Sequence, residues 1–178
     1  MWNRRNRPLN DLTFQILDLL PDDHVLEIGI GGGALSREIQ SQVVEGCVTS
    51  VDHSFEVISF NRKFSPNSLI QADGLCLPFR SGIFSKICTV NTIFYFRDLR
   101  MACEEMFRVL KSDGMAVVCF TDRADLEQKK FTKHGLQLYH KDDVMTLLAE
   151  VGFQEIHSIS GSDRHRTFHC VTGVKNCI

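Results

Sequence analysis

The segment Val25-Leu26-Glu27-Ile28-Gly29-Ile30-Gly31-Gly32-Gly33 changes within a few residues from an apolar run to a glycine cluster. Glycines in that place let the backbone turn tightly and approach a ligand, while a helix starting just beyond them presents unpaired N–H groups. Together these make a nucleotide-type pocket. The glycines alone leave the ligand open, because Gly29, Gly31 and Ala34 also satisfy the dinucleotide pattern G-x-G-x-x-[GA]. A tight turn that binds nothing is the plainer alternative. A second group is Val51-Asp52-His53, whose Asp52 stands 19 residues after Gly33. A carboxylate there can accept hydrogen bonds from both hydroxyls of a ribose, which calls for an adenosine ligand without choosing among cofactors. Glu27 does discriminate: two residues before the first glycine, it would repel a pyrophosphate but suits an ammonium group and a sulfonium cation. Ala72-Asp73-Gly74-Leu75 offers a further carboxylate, matched to an adenine amino group. No G-K-[ST] occurs, which excludes a P-loop.

In the regions that the topology places above the carboxyl ends of the strands, the side chains able to take a proton are Tyr95, Asp122, His134, Tyr139 and His140. Tyr95, His134 and His140 are the candidate catalytic bases, although each residue type more often serves a surface or packing role. Trp2-Asn3-Arg4-Arg5-Asn6-Arg7 concentrates three arginines that could meet an anionic substrate or simply form a solvated basic start. The polar stretch from Asp122 to Lys141 interleaves Phe131, Leu136, Leu138 and Tyr139 with Lys129, Lys130 and Lys133, a composition suited to covering an apolar substrate or touching a membrane surface weakly. The seven cysteines (Cys47, Cys76, Cys88, Cys103, Cys119, Cys170, Cys177) form no C-x-x-C pair, lie mostly inside apolar runs and are expected to be reduced and buried. His169-Cys170 comes nearest to a ligand pair, and no metal site is expected.

The elements that must hold these groups alternate between strand-length apolar runs and amphipathic helices, the pattern of a parallel sheet covered on both faces. A first helix is expected over Asn10 to Leu20, with Leu12, Ile16, Leu19 and Leu20 on one stripe and Met1 to Pro8 as an arm before it. Strands are expected at His24 to Ile28, Cys47 to Val51, Ser68 to Ala72, Ser85 to Val90 and Met115 to Phe120. Helices are expected from the glycines to about Gln42, from near Ser54, over Asp98 to Leu110, and over Asp142 to Val151 with an aspartate cap and Gly152 as its stop. Phe153 to Ile159 and Thr167 to Val174, on either side of the polar turn Ser160 to Arg166, read as a terminal antiparallel hairpin. The expected architecture is α/β, a doubly wound, mostly parallel seven-stranded sheet.

At 178 residues the chain is one domain by size, with the N-terminal segment and the 122–141 insertion as candidate lids. A hydrophobic content of 43% and a charged content of 24% exclude a disordered or membrane-embedded class, and a net charge of -2 argues against a large nucleic-acid footprint. No apolar run reaches signal-peptide or transmembrane length, so a cytoplasmic protein without stable membrane insertion, monomer or homodimer, is expected.

Val25 to Gly33, Val51-Asp52, Gln71 to Phe79 and Phe107-Arg108-Val109-Leu110-Lys111-Ser112-Asp113-Gly114 resemble, in correct order, the successive motifs of small class I methyltransferases related to the ubiquinone and menaquinone biosynthesis enzymes. The resemblance runs from about Leu12 to Val174 and implies S-adenosylmethionine as cofactor. It would place Glu27 and the loop Gly29, Ile30, Gly31, Gly33 at the methionine end, Asp52 with His53 at the ribose, Ala72, Asp73, Gly74 and Leu75 at the adenine, and Asn91 near the methyl. Ile30 and Gly32 depart from the polar or small residues usual in such proteins. Where nucleic-acid N-methyltransferases carry [ND]-P-P-[YFW], this chain has Asn91-Thr92-Ile93-Phe94, which makes base amino groups poor substrate candidates. The expected activity is methyl transfer to a small-molecule acceptor by in-line displacement. The alternatives are an inactive cofactor-binding protein working through a partner, and a nicotinamide-dependent oxidoreductase, which Glu27 disfavours.

Overall fold

The computed structural model describes residues 2–65, 67–127 and 136–176, with backbone alone for residues 2–4. Seven strands form one sheet: β1 His24–Ile28, β2 Cys47–Asp52, β3 Ser68–Gln71, β4 Phe84–Val90, β5 Leu110–Thr121, β6 Gln154–Ser162 and β7 Thr167–Lys175. Their order is β3-β2-β1-β4-β5-β7-β6, and β7 alone runs antiparallel to its neighbours. The helices are α1 Trp2–Leu17, α2 Ala34–Gln42, α3 Phe55–Asn61, α4 Leu99–Val109, α5 Arg123–Glu127 and α6 Lys141–Val151, with a 3₁₀ turn at Ile93–Tyr95.

In β1, Val25 to Ile28 are all buried, because helices cover both faces of the sheet. Alternate residues enter opposite cores. Leu26 and Ile28 join Ile87, Met106, Val118, Phe120 and Leu148 under α4 and α6, while Val25 joins Leu9, Leu17, Leu35, Ile39, Val117, Cys119 and Cys170 under α1 and α2. The chain winds outward from β1 to β3 and then crosses back to β4 on the other side of β1. The strand order therefore reverses between β1 and β4, where the carboxyl ends of parallel strands leave a crevice for a ligand.

The α/β architecture and terminal hairpin match the expectation, whereas α1 does not. It spans Trp2–Leu17, so there is no separate arm, and Pro8 lies inside it. Its buried stripe is Leu9, Thr13 and Leu17, and Leu20 is 59% exposed. Tertiary packing against β4, β5 and β7 overrides the helix-breaking tendency of Pro8. A chain reversal at Asp18, with φ 44, then ends the helix. α6 begins at Lys141, and Asp143 serves its first turn by accepting the His140 amide at 3.1 Å. Cys47 and Cys76 are exposed, against expectation, because one opens β2 and the other sits in the loop after β3; Cys88, Cys103, Cys119 and Cys170 are buried. Cys177 lies outside the described residues. No described helix is long and apolar enough to cross a membrane.

Candidate functional site

The carboxyl ends of β1 to β5 bring most of the candidates to one edge of the sheet: Gly29 follows β1, Asp52 ends β2, Asp73 lies beyond β3, Asn91 follows β4 and Asp122 follows β5. The amides of Gly29 and Ile30 both donate to the Val51 carbonyl, at 2.8 and 3.3 Å, which ties the glycine loop to β2. Gly29, Gly31 and Gly33 have φ values of 85°, 50° and 69°, the left-handed region that favours glycine. A Cβ at Gly29 would stand 2.1 Å from Thr92 Oγ1. At Gly31 the same atom would meet nothing within 4 Å, so the loop faces open space there. Ile30 is buried behind it.

Half-buried Asp52 accepts the Ser54 amide at 3.0 Å on Oδ1 and the Gly31 amide at 3.4 Å on Oδ2. The second bond is long, and its carboxylate oxygen is poised at the loop's open side. His53 is exposed, with its carbonyl accepting Gln71 Nε2 at 3.1 Å. Ala72 is held beside β2 by its amide, 3.1 Å from the Asp52 carbonyl. Exposed Asp73 closes a turn by accepting the Leu75 amide at 2.9 Å. Gly74 makes room for Phe96, whose ring a Cβ would approach to 2.6 Å.

Glu27 lies beneath this rim, 4% exposed on the face covered by α2. Its Oε2 accepts Ser50 Oγ at 3.1 Å, and Ser50 Oγ pairs with Ser36 Oγ at 2.7 Å. Burial pushes its carboxyl up to about 8, and Asp52 adds to the rise; the two serines and Arg37 pull only partly against it. Asn91 adopts φ 54 and its amide is already engaged. Oδ1 accepts the Thr121 amide at 2.9 Å and Thr121 Oγ1 at 3.1 Å, while Nδ2 donates to Asn6 Oδ1 at 3.0 Å.

Among the candidate bases, Tyr95 is 63% exposed on the 3₁₀ turn that leaves β4, and exposed His140 precedes α6. His134 lies outside the described residues. Tyr139 donates to Gln137 Oε1 at 2.5 Å. Asp122 accepts His169 Nε2 at 2.9 Å, and His169 Nδ1 pairs with Ser160 Oγ at 2.8 Å. Burial raises the Asp122 carboxyl, but the Ala124 amide and His169 outweigh it and leave it below its ordinary value. Cys170 enters the opposite core, under α1, so His169-Cys170 does not converge on one point.

Three residues of the site take roles that the sequence assigns to none of them. Buried Asn61 on α3 donates to the Gly31 carbonyl at 2.8 Å and to Val57 at 2.9 Å, bracing the loop from below. Thr92 packs against Gly29. Arg166 donates to Thr121 Oγ1 at 3.1 Å and to the Arg5 carbonyl, joining the hairpin turn to β5 and α1. All three act across distant parts of the chain, where no local motif marks them.

A family model described as "Methyltransferase domain" matches residues 26–118. The Bacillus subtilis protein YrhH, named as a methyltransferase, is 25% identical over 130 residues, covering 70% of this chain and 72% of its own. In the solved complex of the Haloferax volcanii Trm112 methyltransferase activator with a methyltransferase, one chain superposes with a TM-score of 0.87 at 15% identity, over 98% of this chain and 92% of that one. A phosphoethanolamine N-methyltransferase of Haemonchus contortus, solved with phosphomonomethylethanolamine and S-adenosylhomocysteine, gives a TM-score of 0.80 at 13% identity, over 94% of this chain and 52% of its own. At such identities the two solved structures share the fold.

Proposed function

The chain belongs to the methyltransferase domain family and is a class I S-adenosylmethionine-dependent methyltransferase; from that premise we propose that it methylates a small-molecule acceptor above the ends of β4 and β5. The observation that carries this reading is the open space at Gly31, bounded by the Asp52 carboxylate and the rim of strand ends. These residues fit the methyl donor. Asp52 with His53 would hold the ribose, and Ala72, Asp73, Gly74 and Leu75 the adenine. Gly29, Ile30, Gly31 and Gly33 would line the methionine end, above Glu27.

When bound, the donor supplies a methyl group on a sulfonium sulfur. The chain's part is to hold the acceptor in line with that methyl and keep water away. On the acceptor side α1 is fastened over β4 and β5 by the Asn6–Asn91 bond and the Arg166–Arg5 contact, which leaves a polymer little approach from that direction. A small acceptor needs no such approach, and the Haemonchus neighbour was solved with one. The net charge of -2 supports the same reading over a nucleic-acid acceptor. Tyr95 and His140 are the described groups that would take a proton from an acceptor hydroxyl or amine.

Calorimetry with S-adenosylmethionine, S-adenosylhomocysteine and NAD on the wild type and on Asp52→Ala tests the reading. The first two should bind and NAD should not. Asp52→Ala should weaken both by at least about tenfold, since charge-assisted hydrogen bonds worth roughly 1.5–3 kcal/mol each are lost. Asp52→Asn, which keeps the loop's shape, separates lost charge from lost folding. Binding of NAD alone would overturn the assignment. Donor binding without turnover on any small acceptor would favour the partner-dependent alternative.

A further inference from the structure

Two cysteines face each other across the sheet. Cys119 on β5 stands opposite Cys170 on β7 in antiparallel register. The Cys119 carbonyl accepts the Asn91 amide at 2.8 Å, so the Cys119 backbone is turned toward β4 and away from β7. Asp122, three residues on, is turned the other way and donates to the Thr167 carbonyl at 2.9 Å, as the alternation along a strand requires. Cys119 and Cys170 are therefore a non-hydrogen-bonded pair, the kind whose Cα atoms stand about 4.5 Å apart and whose side chains come closest. Disulfides span Cα separations of about 4.4–6.8 Å, so the pair lies at the short end of the range that the bond accepts. Both side chains enter the core beneath α1, and the two thiols are within hydrogen-bonding reach of each other.

α1 closes over them. Cys119 Sγ donates to the Leu9 carbonyl and Cys170 Sγ lies against Thr13 Oγ1, both at 3.8 Å and one helical turn apart on the buried stripe of that helix. Burial also holds the Cys119 thiol well above its ordinary value, so with α1 seated it supplies no thiolate to attack an oxidant. We propose that Cys119 and Cys170 form a reversible disulfide, a redox modification site that becomes accessible only when α1 lifts from the sheet. A low-molecular-weight disulfide such as oxidised glutathione is the oxidant. With α1 lifted, one cysteine loses its proton to solvent and attacks a sulfur of that disulfide, forming a mixed disulfide and releasing one small thiolate. The second cysteine, also as its thiolate, attacks the protein sulfur of the mixed disulfide and releases the other; the two protons end on the released thiols. Two protein thiols are thus oxidised and one small disulfide is reduced. The new bond takes away the hydrogen that Cys119 gives to Leu9 and draws β5 toward β7 at the residue whose carbonyl holds Asn91. Its effect on methyl transfer rests on the acceptor site proposed above, whereas its formation does not.

Incubating the full chain with millimolar oxidised glutathione, quenching in acid and mapping the peptides by mass spectrometry tests this without any acceptor. Exposed Cys47 and Cys76 should take up glutathione first, and the Cys119–Cys170 crosslink should follow more slowly. Cys103, buried in the opposite core under α4, should stay a thiol throughout, which separates a lifting of α1 from general unfolding. Asn6→Ala removes a bond that fastens the first turns of α1 and should speed the crosslink about fivefold, leaving the labelling of Cys47 and Cys76 unchanged. Reduced glutathione should then restore both thiols, as expected of a bond at the short end of its range. Absence of the crosslink, or one made through Cys88 in the same core, would overturn the proposal. So would an unchanged rate in Asn6→Ala, modification of Cys103 in step with the pair, or a bond that reduced glutathione cannot open. Calorimetry with S-adenosylhomocysteine on the reduced protein reads the donor site separately, so a failure there and a failure here are told apart.

Discussion

Glu27 shows how much chemistry one buried carboxyl can carry. Its ordinary value of 4.5 rises to about 8 in the folded chain because burial strips it of water, and the hydroxyls of Ser50 and Ser36 with the charge of Arg37 offset that only in part. The folded state therefore holds a proton that the unfolded chain releases far earlier. The stability this contributes is complete below about pH 4.5, declines as pH rises, and is lost above about 8, a change of roughly 5 kcal/mol at most. Glu27→Gln should accordingly melt close to the wild type at pH 5 and clearly above it at pH 9, in calorimetric scans without ligand. Equal melting at both pH values would mean that the carboxyl ionises freely. At this scale the sequence displays only what is local: the glycine loop, Asp52 and the Asp73 turn are short motifs whose backbone demands are written in adjacent residues. Asn61 under Gly31, 30 residues away, and Asp122 with His169, 47 residues away, are products of folding and leave no such trace.

The elements show the same division. Strands buried on both faces, the helix that starts after Gly33 and the one that stops at Gly152 announce themselves through apolar runs and glycine boundaries, and they fall close to where the pattern places them. α1 does not, because its polar and arginine-rich first turns and Pro8 obscure a helix that exists through contacts with β4, β5 and β7. That makes the first turns of α1 a fastened cover, and its fastening can be measured. Asn6→Ala would leave Asn91 Nδ2 without its partner, a loss of about 1 kcal/mol. The melting temperature should fall by about 2–4 °C for a chain of this size. An unchanged midpoint would show that solvent satisfies Asn91 equally well and that the first turns of α1 move independently of the sheet.

Across the whole molecule, the first helix and the last strand lie against each other. Thr13 Oγ1 on α1 stands 3.8 Å from Cys170 Sγ on β7, 157 positions further along the chain. A consequence concerns time. At about 5–20 residues per second, synthesis takes roughly 8–30 s to travel from α1 to β7. Through that interval Leu9 and Leu17 have no complete surface to cover them, and the stripe that the finished protein hides is open to solvent and to chaperones. A ribosome-held chain stopped before Thr167 should therefore be cut by protease within α1, whereas the released full-length chain resists. If both resist equally, α1 settles on β4 and β5 alone, and the last strand closes over a core that was already sealed.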